Sequence, residues 1–287
     1  MAIEGLTIIG ESINDSVPST TKLFEANDLE GLRALAVSQD EGGAGYIDVN
    51  VGKRSADYLA EMVKEVQGVT AKPLSIDTPD PVMAEAALKV YDRERAGGGV
   101  PILNSISPLR KEMFELVRIM PFMPILMVSE RNENGEGITN RTAEEVLDTT
   151  LQMVDTAKQQ GITVEQCIID PAISPIGADS EGDFQRLIKS MELIHTTEAL
   201  QGVHMSVGLS NFTVMLPPKK ADGSPTKGPL ESAFLMKAMP LGLDHVIGSV
   251  KRKYAILPED HPAVTCLDDC LTLEGFDVIM RVQEYYS

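Results

Sequence analysis

The sequence has no tryptophan, and only 5% of its residues are aromatic, so any core must be built from aliphatic side chains and methionine. It has no apolar run of the roughly 18 residues that a membrane span needs, which excludes a transmembrane helix. The start, MAIEGLTIIGESIN, lacks a basic leader region and meets polar residues by Glu11, unlike a signal peptide. The expected compartment is the cytoplasm. Three cysteines, Cys167, Cys266 and Cys270, form an odd set without CxxC spacing. They read as reduced thiols, not as a disulfide frame or a zinc site. The four histidines, His195, His204, His245 and His261, share no ligand spacing, so no bound metal is expected. Basic residues are also few: 25 Lys and Arg stand against 43 Asp and Glu, a formal charge of −18. Such a chain does not attract a polyanion, which argues against nucleic acid as a partner.

What the sequence does have is alternation. Short β-branched runs at 7–10, 46–51, 73–77, 100–104, 122–128, 164–170, 203–208 and 245–247 each precede an amphipathic stretch. These stretches fall at 29–39, 56–66, 81–95, 109–119, 143–160, 184–196 and 230–239, with closing helix at 266–286. Alternating βα units pair in parallel with their helices outside the sheet. Eight such units in about 250 residues is the size of a closed (β/α)8 TIM barrel. An open doubly wound sheet shares the alternation and is the alternative. No linker or low-complexity tract divides the chain, so residues 1–287 are expected to form one domain.

Polar residues gather where the strand candidates end: Glu11 and Asn14, Asp48 and Asn50, Asp77, Asn104, Asp170, and Ser210 with Asn211. Each alone could be a turn former or a helix cap. A cap, however, needs one residue per junction and no acid or amide at nearly every one. In a barrel these positions converge on one mouth, where active sites sit. With no basic residue in it, the ring calls for a neutral ligand core rich in N–H donors.

The segments GESIN (10–14), GGAGYIDVNVG (42–52), LSIDT (74–78), LNSIS (103–107), IIDPA (168–172) and VGLSN (207–211) occur in that order. Together they resemble the pterin-binding barrel of the methyltetrahydrofolate:corrinoid methyltransferases, over essentially the whole chain. In size the chain is most similar to the stand-alone enzymes of anaerobic demethylation systems. The resemblance implies methyl transfer between N5 of tetrahydrofolate and a corrinoid (cobalamin) cobalt. The folate is then a substrate, the corrinoid arrives on a partner protein, and a homodimer is common. It implies substrate binding by Asp77, Asn104, Asp170, Gly208, Ser210 and Asn211, with Asn211 also catalytic at N5. A carboxylate suits the 2-aminopyrimidinone edge of a pterin, since it accepts both N–H bonds at once. Glu11 and Asn14 are expected to hold a water or hydrogen-bond chain that supplies a proton. Asp48 and Asn50 are expected to shape the floor beneath.

Some features depart from the pattern. A polar loop after Asn211 carries Lys219, Lys220 and Lys227, which either lie in solvent or meet a folate glutamate or the corrinoid tail. Residues 130–141 read as a second long loop, a lid or a partner rim. No zinc-binding cysteine cluster serves homocysteine, and no DxHxxG corrinoid segment is present. The competing functions are a dihydropteroate synthase-like pterin enzyme and a non-catalytic subunit that docks a corrinoid protein. The first lacks its PDSFSDGG-like loop here.

Overall fold

The computed structural model describes residues 3–287. In chain order the elements are β1 (Thr7–Asn14), α1 (Pro18–Glu25), α2 (Leu29–Glu41), β2 (Tyr46–Asn50), α3 (Ala56–Gln67), β3 (Leu74–Asp77) and α4 (Pro81–Val90). There follow β4 (Ile102–Ile106), β5 (Met123–Met127), β6 (Glu130–Glu133), β7 (Glu136–Thr139), α5 (Ala143–Gln159), β8 (Ile168–Asp170) and α6 (Asp183–Thr196). The chain ends with β9 (His204–Gly208), α7 (Leu209–Phe212), α8 (Lys227–Ala238), β10 (Leu243–Gly248), α9 (Pro262–Cys270) and α10 (Phe276–Tyr286).

Eight parallel strands close in the order β1-β10-β9-β8-β5-β4-β3-β2, so the TIM barrel is present and the open sheet is excluded. Each strand buries two faces. Outward residues such as Ile13, Ile47, Val49, Leu74, Ile76 and Leu103 pack against the helices. Inward residues Ile9, Ile102, Ile125 and Ile168, with Tyr46, Met123 and Ile247 against them, plug the barrel interior. No helix among the described residues is long and apolar enough to cross a membrane.

Several boundaries differ from the sequence expectation, each for a local reason. The first strand runs on to Asn14 through an irregularity between Gly10 and Ile13. Its exposed backbone there is satisfied by side chains: Ser12 N donates to Gln39 Oε1 at 2.8 Å, and Thr20 Oγ1 donates to the Ser12 carbonyl at 2.8 Å. The helix begun at Pro81 stops at Val90, because Gln67 then holds both the amide and the carbonyl of Asp92 (2.9 and 2.8 Å). The 109–119 segment is a 3-10 helix, Lys111–Arg118. Residues 130–139, expected as loop, form the antiparallel hairpin β6–β7. Its turn is Asn134-Gly135, both at positive φ (55° and 92°), the chemistry a twisted two-residue hairpin turn needs. The charged strands hid it, since they lack apolar alternation. The helix α1 was not anticipated, and the tail divides into α9 and α10.

Candidate functional site

The helix caps answer one question directly. Helix α3 is capped by Ser55, α4 by Asp80 and α5 by Thr142 with Glu145. Asn50 and Asp77 at the preceding strand ends are therefore spare: they do a different job. Asn50 Nδ2 donates to Asp77 Oδ2 at 2.9 Å, and its Oδ1 accepts from Gly52 N at 2.8 Å. In register, Asp77 lies beside Asn104, and Met127 beside Asp170, so these side chains come from adjacent strands near the C-terminal ends.

Asp48 lies deeper than the rest of the ring. It sits mid-strand, completely buried, and accepts from Ser75 Oγ at 2.6 Å. Its other oxygen has no partner. Burial first, and then the nearby Asp77 charge, hold its pKa well above the usual carboxylate range. It is thus an interior prop under Asp77, which agrees with a floor position and not with a place in the mouth itself.

Asp170 ends β8 and is 91% shielded, being only 9% exposed. One oxygen accepts from Ala172 N at 2.8 Å, and the other has no protein donor among the described residues. Burial pushes its pKa up to about 6. Burial likewise raises Asp77 and Glu11. Buried carboxyls without a compensating cation are costly, and such groups gather where a ligand supplies the missing donors.

Next along the ring, Ser210 Oγ donates to Glu11 Oε1, joining residues 199 positions apart. Ser210 and Asn211 both lie on the single turn α7, which follows β9 directly. Gly208 has a steric reason to be glycine: a methyl group there would sit 2.8 Å from Asn211 Nδ2. The Asn211 amide folds back over the strand end through that gap, while the residue stays exposed. Asn14 is less available than expected, because its Oδ1 accepts from Ser16 N and Ser16 Oγ (2.9 and 2.7 Å) to close a turn.

Sequence reasoning missed a further group. Glu231 is fully buried, accepts from Thr213 Oγ1, and lies 3.3 Å from Arg252 Nε. Burial raises its pKa, and Arg252 pulls that of both Glu231 and Glu11 down. The ring is therefore not free of basic groups, as the strand ends alone suggested: Arg252 stands beside it. The signal was an acid inside the apolar run LESAFL. Of the loop lysines, Lys220 sits 3.5 Å over the Tyr285 ring and Lys227 donates to the Val214 carbonyl. Both are engaged within the chain itself.

The family described as "Pterin binding enzyme" matches residues 11–248. The chain belongs to that family. Among curated proteins, this pterin-binding enzyme is 27% identical to the methylcorrinoid:tetrahydrofolate methyltransferase of Eubacterium limosum over 248 residues, 84% of each chain. Among solved structures it resembles 7,8-dihydropteroate synthase from Vibrio fischeri ES114 (TM-score 0.57, 15% identity, 94% of this chain and 93% of that one). It also resembles dihydropteroate synthase from Xanthomonas albilineans in complex with 7,8-dihydropteroate (TM-score 0.54, 15% identity, 95% and 96% covered). At that identity these likenesses bear on the fold of the pterin-binding barrel alone.

Proposed function

We propose that the chain is a methyltransferase that moves a methyl group between N5 of tetrahydrofolate and the cobalt of a corrinoid carried by a partner protein. The observation that carries this reading is the 84% two-way coverage by a methylcorrinoid:tetrahydrofolate methyltransferase. The acceptor-rich, donor-poor strand ends support it.

In this reading the pterin supplies the N–H groups that the buried carboxyls lack. Asp170 accepts from the ring N–H and the exocyclic amine, one on the oxygen that has no protein donor and one on the second lone pair of the oxygen that takes Ala172 N. Asp77, held by Asn50, and Asn104 meet the remaining ring nitrogens. Gly208 leaves room for the Asn211 amide, which turns toward N5. When cobalt(I) attacks the N5-methyl, the cobalt–carbon bond forms as the carbon–nitrogen bond breaks, and N5 must take a proton. A neutral amide can donate to N5 in one state and accept from N5–H in the other, so its help grows as charge develops. The Glu11–Ser210 pair stands beside Asn211 on α7, and the raised Glu11 pKa keeps a proton within reach nearer neutral pH.

The test is anaerobic. Purified protein, tetrahydrofolate and methylcobalamin should give cob(I)alamin and 5-methyltetrahydrofolate, read from the cobalamin spectrum. No turnover with any corrinoid, free or protein-bound, together with dihydropteroate formation from a dihydropterin pyrophosphate and p-aminobenzoate, would replace this reading with the synthase one. Folate binding without turnover in either assay would favour the docking subunit.

A further inference from the structure

Two of the four histidines, 41 positions apart in sequence, meet at the opposite end of the barrel from the carboxylate ring. His204 is the first residue of β9, and His245 lies near the start of β10. Strand pairing sets His245 beside Ser206, and His204 beside Ile168, on the inner side of the barrel base. Between the two rings stands one carboxylate. Asp244 Oδ2 lies 2.5 Å from His204 Nδ1, and Asp244 Oδ1 lies 2.8 Å from His245 Nδ1. The ring centroids are 4.9 Å apart.

We propose that His204, Asp244 and His245 hold one first-row divalent transition cation, of which Zn2+ is the type. One donor atom from each residue lies within 4.8 Å of the others, and they form a two-imidazole, one-carboxylate set. That mixture of nitrogen and oxygen donors suits zinc, cobalt or nickel, and not magnesium or calcium, which prefer all-oxygen shells. Tetrahedral zinc needs its donors about 3.3 Å apart, so the two contacts must open by roughly 0.5–0.8 Å, within the reach of side-chain rotation.

One carboxylate spans both imidazoles through their Nδ1 atoms, so the three side chains already converge. His204 and Asp244 are each about one-third exposed (32% and 34%), so water can complete the shell, while His245 is buried. Asp244 also lines a hollow of 390 Å3, together with Gly202, Val203 and Gly242.

The cation would tie the first residues of β9 and β10 together and take no part in methyl transfer. The experiment uses tag-free protein stripped with a chelator and titrated with Zn2+ by calorimetry, and with Co2+ by visible absorption. The expected result is one saturable equivalent, release of protons on binding, a raised Tm, and ligand-field bands of a low-coordinate cobalt site. His204→Gln and His245→Gln should each weaken binding more than about 100-fold, beyond what outer-shell changes produce, while His195→Ala should not. Circular dichroism checks that the variants fold. No saturable binding, or one equivalent held as tightly by the folded double variant, would overturn the assignment and leave an internal hydrogen-bonded triad. Neither result touches the methyl-transfer reading, which is tested at the other end of the barrel.

Discussion

Replacing Gly208 by alanine separates the catalytic demand on this residue from any structural one. Its φ is −75°, an angle any L-residue adopts, so the substitution introduces no backbone strain. The added methyl lands 2.8 Å from Asn211 Nδ2 and 3.8 Å from its Cγ. Normal contact between such atoms is about 3.5 Å, so the amide must retreat by roughly 0.7 Å. That retreat costs the fold little, because Nδ2 is the far end of an exposed side chain. Losing glycine's freedom in the unfolded chain even returns about 0.4–1 kcal/mol. For a group that must follow N5, however, misplacement on the order of 1 Å can cost about 100-fold in rate. Gly208→Ala should therefore melt at or slightly above the wild-type temperature, bind tetrahydrofolate within a few-fold, and transfer methyl about 10- to 100-fold more slowly. The assay pairs thermal denaturation with single-turnover transfer at saturating folate. A wild-type rate would refute the placement of Asn211, and a large loss of stability would refute the steric account of Gly208.

Other outcomes follow from the same geometry. Asp170→Asn sets one N–H against another and should weaken tetrahydrofolate binding by about 2–3 kcal/mol, measured by calorimetry. The Asp170 pKa is raised to about 6, so its stability contribution is full below the unfolded value near 3.8 and is lost as pH rises through 6. Two units correspond to about 3 kcal/mol. The folded Asp170→Asn variant should thus gain stability over wild type between pH 4 and pH 7 in denaturant titrations, an exchange of affinity for stability; a difference that does not change with pH would contradict the raised pKa. Methyl transfer from folate to cobalt should slow as pH rises through the raised Glu11 pKa, and Glu11→Gln should flatten that limb of the profile; an unchanged profile would remove Glu11 as proton source. Gln67→Ala should cost about 1–3 kcal/mol in denaturant titrations, since two half-buried hydrogen bonds to the backbone of Asp92 are lost.

The barrel was legible because its signal is local: each apolar run is short, and a helix-period stretch follows it. Most of the ring was legible for the same reason, since Asp77, Asp170 and Ser210 sit at or just past strand ends. Depth was legible only in part. Asp48 and Asn50 are two residues apart on one face of β2, yet one is sealed inside and the other meets Asp77 at the rim. The rest needed pairings across the chain. Glu11 meets Ser210 only once β1 closes the barrel near β9 and β10, and Glu231 gains its meaning from Thr213 and Arg252. The histidine cluster likewise exists only because β9 and β10 are neighbours. Hairpin β6–β7 carries a local signal in its Asn134-Gly135 turn, but its charged strands lack the apolar alternation that marks the barrel strands.

The central claim is that this mouth transfers a methyl group and that Asn211 acts on it most strongly in the transition state. The most direct measurement is a single-turnover experiment with [13C-methyl]tetrahydrofolate and cob(I)alamin, followed by NMR, for wild type and Asn211→Ala. The account predicts that label moves to cobalt on the wild-type protein, and about 100-fold or more slowly on Asn211→Ala. Folate affinity should fall less, because Asp77, Asn104 and Asp170 still hold the ring. Label that stays on folate with the wild type, or moves equally fast with the variant, would contradict it.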